Sequence, residues 1–298
     1  MTFGRARAGA GISRALSHSG QVPVNTAVTR LRAGWAWDRP AAVPINLADI
    51  ERGAPFTGDY RAALGALHER LARVQLAQVV HGRRALIVLE GPEGAGKRGI
   101  LKQLGAALDP CHFDVHCVAP DRRSSSEGHW LARFWNRLPA AGNTAIFLHS
   151  WYRRVLEDHV MGMVGDKEWK RGFDEINEFE SQQRDYGTAL VKLYLHATDK
   201  VLDERLGARA ADPWQQHLLG PVALRTADGR DSYRKSLAQM FKLTDTRWAP
   251  WMGIDANDEQ AAHVAALTVI AEALEKTMPL DAPARSEPAA RSSHLSPA

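Results

Sequence analysis

Apolar positions in this 298-residue chain follow two periods that alternate along its length. Short, continuously apolar or alternating runs of strand-forming residues occupy 85–89, 113–119, 143–147, 189–196 and 251–255, the signature of strands buried on both faces. Between them the spacing turns helical. The longest such stretch, 59–80, shows Leu64, Leu67, Leu71, Val74, Leu76 and Val79 at helical spacing, which predicts an amphipathic helix lying against the core. Further helices are predicted over 98–108, 129–138, 153–163, 169–186, 200–209, 231–244 and 259–277, with Asp109-Pro110 and Pro139 as stops. Strands alternating with helices predict an α/β fold: a parallel sheet covered on both faces, in one three-layer α/β/α domain.

The first strand runs directly into Glu90-Gly91-Pro92-Glu93-Gly94-Ala95-Gly96-Lys97, and a helix starts there. Strand, glycine loop and helix in that order form a phosphate cradle. Gly91, Gly94 and Gly96 permit positive φ and bring N–H groups close to phosphate oxygens. Lys97 adds a mobile point charge, and the helix that follows offers its positive end. The spacing Gly91-x4-Gly96-Lys97 fits a Walker A loop except at its last place, where Arg98 replaces the usual Ser or Thr.

Composition narrows the partners. No apolar run approaches a membrane span, and no apolar h-region opens the chain. Residues 1–45 read as an Arg-, Gly- and Ser-rich flexible extension and 281–298 as a disordered tail, leaving the folded body at 46–280. The two cysteines, Cys111 and Cys117, imply a reducing, cytoplasmic setting without a disulfide framework. The net charge of +4 is carried by the N-terminal extension: 1–37 hold five Arg and no acid, so the remainder carries +4 − 5 = −1. A global nucleic-acid field is thereby excluded, and any polyanion must meet a local groove.

Several further strings then fall into one pattern. Arg133 with Leu138-Pro139, Ser150-Trp151-Tyr152-x-Arg154, Ile176-Asn177-Glu178-Phe179-Glu180, Asp212-Pro213-Trp214, Thr244-x-Thr246, Ala249-Pro250-Trp251 and Asn257-Asp258 join the glycine loop. Together they resemble the family-2 polyphosphate kinases over about residues 46–278. The resemblance implies phosphoryl transfer between inorganic polyphosphate and a nucleoside mono- or diphosphate, assisted by Mg²⁺ or Mn²⁺. It also implies a homo-oligomer, with neither nucleic acid nor membrane as partner. By the same resemblance Lys97, Glu93, Arg133 and Arg154 are the catalytic set, and Gly91, Gly94, Gly96, Lys97 and Arg98 bind phosphate. The resemblance further implies a P-loop domain with a helical lid at about 205–240, into which Arg205 and Arg209 lead, and makes Glu93, where the family has Asp, the metal candidate.

Three departures bear on turnover. The family's Phe-Asp-Arg-Ser-Trp-Tyr is here Phe147-Leu148-His149-Ser150-Trp151-Tyr152. Leu148 cannot ligate a hard cation, and His149 is a weaker donor than arginine. After Trp214 the lid carries Gln215, Gln216, His217 and Leu218 in place of basic residues. The alternatives are therefore a catalytically silent polyphosphate- or nucleotide-binding module, and an ATP-dependent small-molecule kinase. Cys111-His112-Phe113-Asp114-Val115-His116-Cys117 matches no standard zinc spacing and reads as a core strand. Arg122-Arg123 reads either as a substrate loop or as a solvated one. Glu175, Glu178 and Glu180 read as a solvated acidic helix face.

Overall fold

A computed structural model describes residues 45–120 and 128–283. The extension expected at 1–45, with Trp35 and Trp37, falls almost wholly outside the described residues. So do the Arg122-Arg123 loop and most of the C-terminal tail.

Five strands, β1 (Arg84–Glu90), β2 (Phe113–Cys117), β3 (Thr144–Leu148), β4 (Thr188–His196) and β5 (Trp251–Asp255), form one parallel sheet in the order β2-β3-β1-β4-β5. The long helices are α1 (Tyr60–Val80), α2 (Lys97–Ala107), α3 (Asp166–Asp185), α4 (Asp199–Ala211), α5 (Ala227–Thr244) and α6 (Glu259–Glu275). Asp59 caps α1 by accepting from Ala62 N, and Asp258 caps α6 by accepting from Ala261 N. Alternation along the strands splits the core. Ile87, Leu89, Ile146, Val191 and Leu193 face α1, α2 and α6, whereas Leu86, Val88, Phe147, Tyr194 and Trp251 face α3 and α5. The expected three layers are present.

Two predicted helices shrink to single turns. Residues 129–138 keep only Ala132–Trp135, and 153–163 keep a 3₁₀ turn at Trp151–Arg154 and a helical turn at Glu157–Val160. Leu156 breaks that stretch with φ −107° and ψ −98°. β2 is an edge strand rather than a core strand: Asp114, Val115 and Cys117 are exposed, while the half-buried Phe113 packs against the core and His116 lies 4.9 Å from the Phe147 ring. No helix among the described residues is long and apolar enough to cross a membrane.

Candidate active site

A cleft of ≈ 930 Å³ opens at the carboxyl ends of β1, β3 and β4, where an open parallel sheet binds ligands. Its floor is the loop between β1 and α2. Gly91, Gly94 and Gly96 all take positive φ (138°, 88° and 91°). A Cβ on Gly91 would collide with the Leu195 carbonyl oxygen, so a larger residue there would separate the loop from β4. Lys97 is buried and folded back onto the loop, its Nζ donating to the Gly91 oxygen and, at 2.9 Å, to the Pro92 oxygen. Burial pushes its ammonium below the usual lysine range, against the pull of Glu157, Glu90 and Glu93.

The far wall comes from α4, α5 and the segment between them, which overhangs the loop through Gln215, Leu218, Gly220, Pro221, Leu224 and Arg225. This segment falls within the region expected as the lid, at about 205–240. Arg205 ties α4 to the floor, donating to the Gly94 and Asn257 oxygens at 3.1 Å each. Arg209 and the exposed Arg98 also line the cleft. Both oxygens of Glu93 accept from Gly220 N, at 3.0 and 3.1 Å, so the loop carboxylate touches the lid.

Two of the arginines assigned from the sequence lie off the wall. Arg133 donates to the Ala119 oxygen at 3.1 Å and packs against Phe134. Arg154 lies over the Trp130 ring, 5.0 Å from its centroid, with Glu168 3.7 Å away. Its neighbour Arg153 faces the cleft instead, paired with Glu157 at 2.9 Å and Asp158 at 3.0 Å. Sequence reasoning passed over Arg153, although Glu157 four residues on was a readable i,i+4 partner. It also passed over Lys102, one turn beyond Arg98, and over Arg225, Arg230 and Arg234. The cleft wall holds nine Lys or Arg against four Asp or Glu, a local balance of 9 − 4 = +5.

Leu148 belongs to the apolar core and shows only its edge to the cleft. His149 turns into the left-handed region (φ 53°), bringing Nδ1 within 3.2 Å of Glu157 and 3.6 Å of Glu90. Glu90 is held by Ser150, whose N and Oγ donate to Oε1 at 2.7 and 2.8 Å. Burial alone would raise the Glu90 pKa, but His149, Ser150 and Lys97 together hold it below the usual carboxylate range.

The acidic stretch on α3 is not a solvated face. Glu180 is fully buried, accepting from Trp151 Nε1, Tyr152 Oη and Lys192 Nζ at 2.9, 2.7 and 2.9 Å. Glu175 accepts from Trp130 Nε1 at 2.6 Å, and Glu178 alone is exposed. Hence the Ile176–Glu180 string anchors the Ser150-Trp151-Tyr152 turn behind the cleft.

The sequence model described as Polyphosphate kinase 2 (PPK2) matches residues 57–281. The chain belongs to the polyphosphate kinase 2 family. A polyphosphate:AMP phosphotransferase of Pseudomonas syringae is 34% identical over 75% of this chain and 45% of its own length. A GDP-polyphosphate phosphotransferase of Mycolicibacterium smegmatis is 31% identical over 71% of this chain and 75% of its own. The crystal structure of polyphosphate kinase 2 from Arthrobacter aurescens TC1 superposes with a TM-score of 0.73 at 28% identity, covering 82% of this chain and 88% of that one. The chain spans about half the length of the curated polyphosphate:AMP phosphotransferases it matches.

Family chemistry implies a divalent cation. Among the described residues no group of three or more His, Cys, Asp or Glu is placed to hold one. An ion carried mainly by phosphate oxygens needs only one or two protein carboxylates. Glu93 and Glu157, both on the cleft wall, fit that lesser demand.

Proposed function

We propose that this polyphosphate kinase 2 family member transfers a phosphoryl group between inorganic polyphosphate and a nucleoside mono- or diphosphate. The observation that carries the reading is the positive-φ glycine loop forming the floor of a cleft with a +5 balance of formal charges. Phosphate oxygens bind the loop amides and the positive end of α2. Lys97 leaves the Gly91 and Pro92 carbonyls, which are poor partners beside an anion, and donates to a phosphate oxygen. A buried ammonium gains more from that exchange than an exposed one would, because little solvent screens it. Arg98 and Arg209 add charge around the transferring group, and Arg205 holds the lid's first helix to the loop. Arg133 and Arg154 act from behind the wall, by shaping the loops that carry Ala119 and Arg153. A bound Mg²⁺ or Mn²⁺ would neutralise phosphate charge, with Glu93 as its protein ligand. The transition state is loose and charge-rich, so positioning and electrostatics supply the rate.

Leu148 favours a second reading, a binder with little turnover, because a strand-end oxygen ligand is missing. One assay separates the two: purified protein with polyphosphate, Mg²⁺ or Mn²⁺, and AMP, ADP or GDP in turn. Transfer that disappears in Lys97→Ala supports the kinase. Binding without transfer, with turnover appearing in the Leu148→Asp, His149→Arg double variant, supports the silent module.

A further inference from the structure

The lid has lost the basic residues expected after Trp214, yet one guanidinium on it faces the cleft in an unusual state. Arg225 closes the 3₁₀ turn Val222–Arg225 and lines the cleft, half-buried. Its Nη2 donates to the Gly220 oxygen at 3.1 Å, while its Nε is buried with no partner among the described residues. An unpaired buried guanidinium nitrogen beside an anion cleft is a donor lacking an acceptor.

The same Gly220 peptide is gripped from its other end. Its N–H donates to both Glu93 oxygens. A Cβ on Gly220 would stand 3.0 Å from Glu93 Oε2, so a larger residue would fit only by shifting the carboxylate. One peptide plane thus links the loop carboxylate to the lid arginine: Glu93 fixes its nitrogen and Arg225 is fixed by its oxygen. An aspartate at 93, one methylene shorter, would fall short of Gly220.

We propose that Arg225 binds a phosphate oxygen of the substrate and that Glu93 is the positioning residue that aims it, acting through the Gly220 peptide. The proposal deepens the phosphotransferase reading and rests on it. Both Glu93 oxygens accept from the Gly220 N–H, so one can turn to a substrate-borne cation while the other keeps the peptide in place.

The test is a double-mutant cycle read as equilibrium binding of ADP and of inorganic tripolyphosphate, without turnover. Arg225→Ala is expected to weaken binding of at least one of them by about tenfold or more. Gly220→Pro replaces the N–H with a ring carbon and so parts the Glu93 carboxylate from this peptide, while the Glu93 and Arg225 side chains themselves stay in the sequence. Leu219 (φ −70°, ψ 134°) already has the extended backbone that a residue before proline needs. It is expected to weaken binding severalfold, and the double variant to bind no worse than Arg225→Ala alone. In the ligand-free protein, Glu93→Asp and Gly220→Pro are expected to raise hydrogen exchange across 212–226 severalfold while α1 and α6 keep wild-type rates. Wild-type binding by Arg225→Ala, additive losses in the double variant, or unchanged lid exchange would each overturn the proposal and leave the kinase reading intact. A wild-type protein that binds neither ligand would overturn both.

Discussion

Lys97 and Asp158 are buried ionisable groups held by opposite means. Lys97 is an ammonium surrounded by loop carbonyls and three carboxylates, and its removal leaves the cradle amides in place but takes away the charge nearest the transferring group. Lys97→Ala is therefore expected to slow transfer roughly 10²- to 10³-fold, the usual cost of losing one preorganised donor; a rate within threefold of wild type would remove Lys97 from the chemistry. Asp158 is a carboxyl whose pKa burial pushes up to about 6, although Arg153 opposes the shift. The sign is unusual for an acid. Below the ordinary carboxyl range both folded and unfolded chains hold the proton, and Asp158 contributes nothing to pH dependence. Between that range and about pH 6 the folded chain holds more proton than the unfolded one, so stability falls as pH rises. Above about pH 6 the cost is complete. Asp158→Asn should then lose less stability than wild type between pH 4.5 and pH 7.5, as read by urea unfolding at each pH. Equal losses would show that Asp158 ionises freely in the folded protein.

At the level of elements, the turn that follows β3 is held by a charge buried in β4. Lys192 Nζ donates to Glu180, Tyr152 and the Thr244 oxygen at 2.9, 3.0 and 2.9 Å, joining α3, β4, α5 and the Trp151–Arg154 turn. Lys192→Met would strand the Glu180 carboxylate, at a cost of about 3–5 kcal/mol in chemical denaturation. Adding Glu180→Gln should recover part of that loss, because no buried charge is then left alone. A loss under about 1 kcal/mol in the single variant would mean that water reaches Glu180. The inner strands β1, β3 and β4 were legible because parallel strands buried on both faces are continuous apolar runs, and the edge strand β5 falls at 251–255 as its pattern predicts. The glycine loop was legible because each glycine answers a backbone need that only glycine meets. Glu180 was not: a helix heptad rich in acids looks solvated until the lysine inside β4 is placed opposite it. Yet Lys192 in the run Ala-Leu-Val-Lys-Leu-Tyr-Leu-His was itself a signal, since a charge in a fully buried strand demands a buried partner. The 153–163 stretch misled for a related reason. Its periodicity comes from residues buried around Trp151 and from the Arg153 ion pairs, not from one continuous helical face.

Across the whole molecule, charge is distributed unevenly. The chain beyond residue 37 carries −1 by formal count, whereas the cleft wall carries +5. Attraction of a polyanion is thus a property of the groove, and part of it is already neutralised: Arg230 pairs with Asp203, and Arg234 with Asp199 and Asp231. Groove cations without such close partners should dominate the response to salt. Screening length falls to about 8 Å near 0.15 M salt, so charges spread along a cleft are screened while contacts inside the loop are not. A long polyphosphate engages many groove charges and releases counterions from each, whereas AMP engages few. Raising NaCl from 50 to 300 mM should therefore weaken binding of long-chain polyphosphate at least tenfold but AMP binding less than threefold. Lys102→Ala, which removes an exposed groove cation one turn from Arg98, should flatten the polyphosphate salt slope. Fluorescence anisotropy with end-labelled polyphosphate, titrated at each salt concentration, reads the slope directly. Equal salt slopes for the two ligands would place polyphosphate on the loop alone and leave the groove charges without a role in its capture.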